Sequence, residues 1–210
     1  MHAIGLDLAP RMVAAAADNA AREGLSVEVM IGDAGDPDLP TGSFDIVTAS
    51  LVLFFLPKPV AAPSAWGELL VDGGRIGVST FGAYDAAWEP VDAIFEPYLP
   101  PDLRDARITG KQGPFGSDEG VERLLVDAGF ADVRTASGPV PVWFDGADHW
   151  HRWTKSTGQR RMGEMVPEAE RAAVQASAGR LLDDTRRQNP DHRIGFDQDV
   201  RYTVGRRRNR

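Results

Sequence analysis

The sequence predicts an α/β domain: an open, doubly wound, mostly parallel sheet with an antiparallel C-terminal strand and helical insertions. Three observations carry this expectation. From Ala3 to Thr80, short β-branched runs alternate with helical patterns, the order produced by βαβ units. A last extended run, Gln198 to Val204, alternates apolar and polar residues through Val200, Tyr202 and Val204, as an edge strand does. Between them, the stretches 84–116 and 145–195 break the alternation with helical patterns, so they are expected to cover part of the single domain 1–210.

The elements follow in order. Ala3 to Leu8 reads as a strand, and Pro10 suits the first turn of a helix in which Met12, Ala16 and Ala20 recur at helical spacing until Gly24 stops it. Val27 to Ile31 is a second strand, ending at Gly32 and Asp33. The loop around Pro37 and Pro40 leads to a third strand, Phe44 to Ala49, and then to the apolar stretch Leu51 to Leu56. Pro57 and Pro59 mark the entry to a helix containing Trp66, Leu69 and Leu70. Asp72, Gly73 and Gly74 then turn the chain into the strand Arg75 to Thr80. The stretch 84–116 carries Trp88, Phe95 and Tyr98 among several prolines, an insertion with aromatic anchors. Ser117 caps a helix whose apolar set is Val121, Leu124, Leu125 and Ala128, with Gly129 as its stop. Val133 onward and Val140 to Phe144 read as extended, followed by a polar helical region from about 146 to 187.

Composition narrows the function. Cysteine is absent, which excludes disulfides and thiolate metal sites and makes a reducing cytoplasm the simple expectation; no metal site is expected. The N-terminus lacks a charged region followed by a long apolar one, and no apolar run approaches the roughly 20 residues of a membrane span. A net charge of −8 disfavours broad contact with nucleic acid and favours small-molecule chemistry. The cluster Arg206, Arg207, Arg208 and Arg210 reads as a solvated tail.

In open parallel sheets, ligands bind beyond the carboxyl ends of the strands. Asp7 closes the first strand, where an acid accepts hydrogen bonds from both hydroxyls of a ribose or, equally well, caps the helix near Pro10. Asp33 closes the second, placed to hold the exocyclic amine of an adenine while the Ala34 backbone meets the ring edge; a turn-forming Asp is the alternative. Ser50 closes the third, where backbone groups can meet an amino acid moiety, although serine is common at strand ends.

The order and spacing of these residues are more specific than any one of them. AIGLDLAPRM, then GDAGDPDLPTGSFDIVTASLVLFFLP, then LLVDGGRIGVSTFG resembles the class I S-adenosylmethionine-dependent methyltransferases, a Rossmann-like family, over residues 1–82. The resemblance implies S-adenosyl-L-methionine as cofactor and methyl transfer to a small-molecule acceptor. It implies that Asp7, with Leu8 beside it, binds the ribose and that Met12 lies against the adenine. Asp33 and Ala34 then sit beside the adenine, and Ser50 and Leu51 near the methionine part. The helix at 118–129, the DVR step and the RYTVG strand are similar to the remainder of the fold.

The family's glycine-rich loop, which follows its first strand, has no counterpart, because the chain starts where the family's second strand does. In the family's sheet order, 3-2-1-4-5-7-6, that first strand lies in the middle. Without it a gap of about 10 Å, twice the usual interstrand spacing, separates two unpaired edges. The expectation is therefore roughly 30 to 60 further N-terminal residues in the native protein, or else a truncated copy.

Methyl transfer from a sulfonium is an in-line displacement, so positioning and exclusion of water do most of the work, with a base needed only when the acceptor loses a proton. His149 and His151, flanking Trp150, are the candidates for such a base, weighed against an exposed helix face with an aromatic anchor. Residues spaced by two point to different sides of a helix, which favours that second reading. Phe55, Trp88 and Trp143 are candidate walls of a substrate pocket or else plain core. Two rivals stand beside the methyltransferase. A nicotinamide-dependent reductase would also place an acid on its ribose, yet none of Lys58, Lys111 and Lys155 has a tyrosine four residues earlier. A non-catalytic binding module is the other.

Overall fold

The structure is a computed structural model that describes residues 2–83, 86–100, 113–155, 160–188 and 191–209. Parts of the two expected covering stretches, together with Lys111 and Arg210, lie outside the described residues. In chain order the elements are β1 (Ala3–Asp7), α1 (Pro10–Arg22), β2 (Val27–Ile31), β3 (Phe44–Ser50), α2 (Ala62–Leu69) and β4 (Leu70–Phe81). Then come α3 (Glu89–Ala93), α4 (Asp118–Asp127), β5 (Phe130–Phe144), α5 (Ala147–Thr154), α6 (Arg160–Met165), α7 (Glu168–Gln188) and β6 (Ile194–Arg207).

Local chemistry accounts for the boundaries. Pro10 opens α1 at a position where its missing N–H costs nothing, and Gly24 ends it with a φ of 66°, a conformation that only glycine adopts freely. Asp118 and Glu119 favour the amino end of α4 through its dipole, and Val121, Leu124 and Leu125 form its buried stripe. The Asp72-Gly73-Gly74 turn lies inside β4 as a register irregularity. Phe44 pairs with Leu70 but Ile46 with Arg75, so the extra β4 residues loop out, with Gly73 at φ 73°.

The strands form two sheets. β1 and β2 pair in parallel from Ala3 opposite Val27 to Asp7 opposite Ile31, and the second sheet has the order β3-β4-β6-β5. β3 and β4 are parallel. β6 runs against both its neighbours: Gly205 lies on Ile76 and Val133, and the Gly82 N–H donates to the Asp199 carbonyl. Further along, Thr203 meets Thr135 and Gly195 lies under Trp143. This is a Rossmann-like sheet of mostly parallel strands with one antiparallel strand.

Two expectations are corrected. The separate extended runs near Val133 and Val140 are one continuous strand, β5. The Gln198–Val204 run is not an edge, since β6 lies between β4 and β5. Its alternation also has the opposite sense at its end: Arg201, Thr203 and Gly205 are buried while Tyr202 and Val204 are exposed. Polar groups face inward there because each is satisfied. Thr203 Oγ1 shares a hydrogen bond of 2.9 Å with Thr135 Oγ1, and Arg201 donates to three backbone carbonyls.

The chain divides into two compact units. The first comprises residues 1–80, 118–136 and 202–210, and its buried side chains include Trp66, Leu70, Ile76, Leu125 and Phe130. The second comprises 81–117 and 137–201, with a core of Trp88, Phe95, Phe144, Trp150, Leu182 and Phe196 among others. Trp88 stacks on Phe196 with ring centroids 3.6 Å apart and meets Phe144 edge-on at 6.4 Å, so the aromatic anchors expected in the insertion are the centre of this core. No helix among the described residues is long and apolar enough to cross a membrane.

Candidate functional site

In the first unit, the carboxyl ends of β1 and β2 lie side by side, because the parallel register ends with Asp7 opposite Ile31 and the Gly32 N–H donates to the Asp7 carbonyl at 3.1 Å. Gly32 packs closely there: a Cβ would fall 2.7 Å from the end of the Leu6 side chain, which would have to shift. Asp7 Oδ1 accepts the Ala9 N–H at 2.7 Å and fixes the turn into α1. The helix's own N-cap is Ala9, so the expected capping role appears as a turn. Asp7 Oδ2 has no partner among the described residues. Leu8, the next residue, and Met12, in the first turn of α1, have 65 % and 58 % of their surface exposed, and Asp7 itself is half-buried.

Asp33 repeats this geometry at the end of β2, with Oδ1 accepting the Gly35 N–H at 2.7 Å. Both acids therefore form turns, and in each the same carboxylate retains an oxygen. The Ala34 carbonyl accepts a 2.7 Å hydrogen bond from Nε1 of Trp66, a buried residue of α2. Trp66 thus holds the loop carrying Asp33 and Ala34, a role that its place in a helical pattern does not reveal.

At the end of β3, Ser50 Oγ lies 3.0 Å from Ser79 Oγ of β4, and Ser79 Oγ also accepts the Leu51 N–H at 3.1 Å. Leu51 has a φ of 53°, in the left-handed region that a leucine adopts at a cost of order 1 kcal/mol or more. The strain lies at the residue where the sequence places the methionine part of a cofactor. Ser79 was not singled out from the sequence, although its position two residues from the end of a strand was a usable signal.

The remaining candidates separate. Phe55 belongs to the first unit and is 72 % exposed in a short 3-10 turn against Phe54. Trp88 is core of the second unit, as the stacking on Phe196 requires. Trp143 lies over Gly195, where a Cβ would collide with its ring. None of the three is among the residues that line the cavity of the second unit. His149 and His151 also diverge. His149 turns back on its own loop, with Nδ1 accepting the Asp145 N–H at 3.3 Å beside the Asp145 carboxylate. His151 faces the cavity; burial, and next Lys155, hold its imidazole below the usual histidine range, while Asp148 works in the other direction. Elsewhere in this unit the Tyr98 hydroxyl donates to Glu170 at 2.7 Å, a bond that raises the phenol above its ordinary range. Among the described residues no group of histidines and acids is placed to hold a metal ion.

Residues 1–78 match the methyltransferase domain family. The chain is 36 % identical over 191 residues to the nocamycin O-methyltransferase of Saccharothrix syringae, covering 85 % of this chain and 68 % of that protein. It is 36 % identical over 101 residues to the aklanonic acid methyltransferase DauC of Streptomyces sp. (strain C5), covering 47 % of this chain and 42 % of the relative. The crystal structure of the YcgJ protein from Bacillus subtilis shares the fold, with a TM-score of 0.55 at 17 % identity over 99 % of this chain and 82 % of that one. The chain belongs to the class I S-adenosylmethionine-dependent methyltransferases. Its cofactor is S-adenosyl-L-methionine and its chemistry is methyl transfer.

Proposed function

We propose that this methyltransferase holds the adenosine of its cofactor through Asp7, Leu8, Met12, Asp33 and Ala34, meets the methionine moiety at Ser50 and Leu51, and methylates an oxygen of a small organic molecule. The observation that carries this reading is the second oxygen of Asp7, which has no partner among the described residues, at a strand end that lies side by side with the one leading to the Asp33–Ala34 turn, with Leu8 and Met12 exposed in the segment that follows. Such a carboxylate suits two ribose hydroxyls, and the exposed apolar side chains suit an adenine face. The left-handed Leu51 favours close approach of backbone to a ligand. The bound sulfonium supplies a methyl group already activated for displacement. The chain's own residues bind, orient and exclude water. Oxygen as the acceptor atom follows the name of the relative from Saccharothrix syringae, and the net charge of −8 supports a small molecule over nucleic acid.

The test is calorimetric titration of S-adenosylhomocysteine into the protein. Saturable binding is expected, weakened about tenfold or more in Asp7→Ala, the loss of roughly 1.4 kcal/mol from two hydrogen bonds. Binding of NADPH in its place would sink the proposal.

A further inference from the structure

The second unit contains a cavity of about 460 Å³, within the range of roughly 300–1,000 Å³ typical of small-ligand sites. Its apolar wall is Phe95, Trp150, Met162, Val166 and Val174, each no more than 8 % exposed. Trp150, His151 and Thr154 come from one face of α5, and Lys155 continues that face one residue past the helix end.

The charges around the cavity are unequally committed. Arg160 is held by Glu164 one turn away at 2.6 Å, and Arg171 donates to the carbonyls of Val166 and Glu164 at 2.9 and 3.3 Å. Asp92 has a partner of its own. The Lys155 side chain makes no hydrogen bond or ion pair with a described residue, yet it stands close enough to disfavour a second positive charge on His151. Among the described residues the result is an aromatic and aliphatic wall with an available cation at its margin and, beside it, an imidazole held below the usual histidine range.

We propose that this cavity is a binding site for a largely apolar organic anion whose rings pack on Phe95 and Trp150 and whose ionised group meets Lys155. An uncommitted ammonium next to an apolar wall selects an anion over a neutral molecule of the same shape, because the anion gains an ion pair while both gain the same burial. His151, whose charged form is disfavoured by burial and by Lys155, faces the cavity as a hydrogen-bond partner for a ligand hydroxyl.

The experiment compares two fluorescent probes of matched ring structure on the 210-residue chain: 8-anilinonaphthalene-1-sulfonate, an anion, and the uncharged N-phenyl-1-naphthylamine. The anion should bind about fivefold more tightly, the upper end for an ion pair that remains partly in water, and Lys155→Gln should remove that advantage while leaving the neutral probe unchanged. Gly163→Phe, at a cavity position where an added Cβ meets no neighbour, and Gln175→Trp, at another lining position, should each weaken both probes. Equal affinity for the two probes, or an unchanged anion affinity in Lys155→Gln, would overturn the anion assignment. Unchanged binding in both filled variants would overturn the site.

Discussion

Arg201 lies in β6 with 9 % of its surface exposed, and its guanidinium donates to Phe81 O at 2.6 Å, Phe115 O at 3.0 Å and Gly116 O at 3.3 Å. Those carbonyls stand at the two ends of the stretch between β4 and α4, so one side chain closes the loop that carries Trp88 and Phe95. Arg201→Met keeps most of the apolar stem and removes every donor. Replacing a buried charge by an apolar group is often neutral when both partners are replaced together. Here the acceptors remain. The bond to Phe115 O is buried, so its loss leaves a carbonyl without water, at about 1–3 kcal/mol; the other two are partly exposed and recover water at about 0.5–1 kcal/mol each. The expected loss is about 3 kcal/mol in urea unfolding, accompanied by faster proteolytic cleavage between Phe81 and Gly116. Arg201→Lys should fall between the two, because an ammonium lacks the planar fork that reaches three separated oxygens. A loss under about 1 kcal/mol with unaltered cleavage would refute the argument that Arg201 closes this loop.

Two further outcomes follow from the same geometry. Trp66→Phe removes the Nε1 donor from Ala34 O and leaves a small void, so it should cost about 1–2 kcal/mol of stability and weaken S-adenosylhomocysteine binding severalfold in calorimetry; unaltered binding would show that Trp66 does not hold the Asp33–Ala34 loop. Because burial and Lys155 lower the His151 pKa in the folded protein, the unfolded chain takes up this proton first as pH falls below the ordinary value of 6.5. The contribution of His151 is therefore present above pH 6.5 and is lost as pH falls through its lower folded value, and His151→Gln should remove that part of the slope in denaturation free energy measured between pH 5 and pH 7.5. An identical slope in the variant would show that the folded imidazole titrates normally.

What could be read from the sequence was local. The Asp7 and Asp33 turns, the α4 stripe of Val121, Leu124 and Leu125, and the divergence of His149 from His151 depend on residues within a few positions of one another, where period and turn chemistry suffice. The inward polar face of β6 was not legible, because Arg201 finds its acceptors 85 to 120 residues away and an arginine in an alternating run is read as exposed until those partners are known. The aromatic residues make the same point more sharply. Trp88 and Trp143 are the same residue type in similarly apolar surroundings, yet one is buried in a stack on Phe196 while the other lies partly exposed over Gly195. Both outcomes are set by β6, on which a large ring at 196 offers a stacking face and a missing side chain at 195 offers bare backbone. A tryptophan's local sequence states how much area it must bury but not against what. The place of each ring therefore depends on a strand that the chain reaches only after the whole second covering stretch.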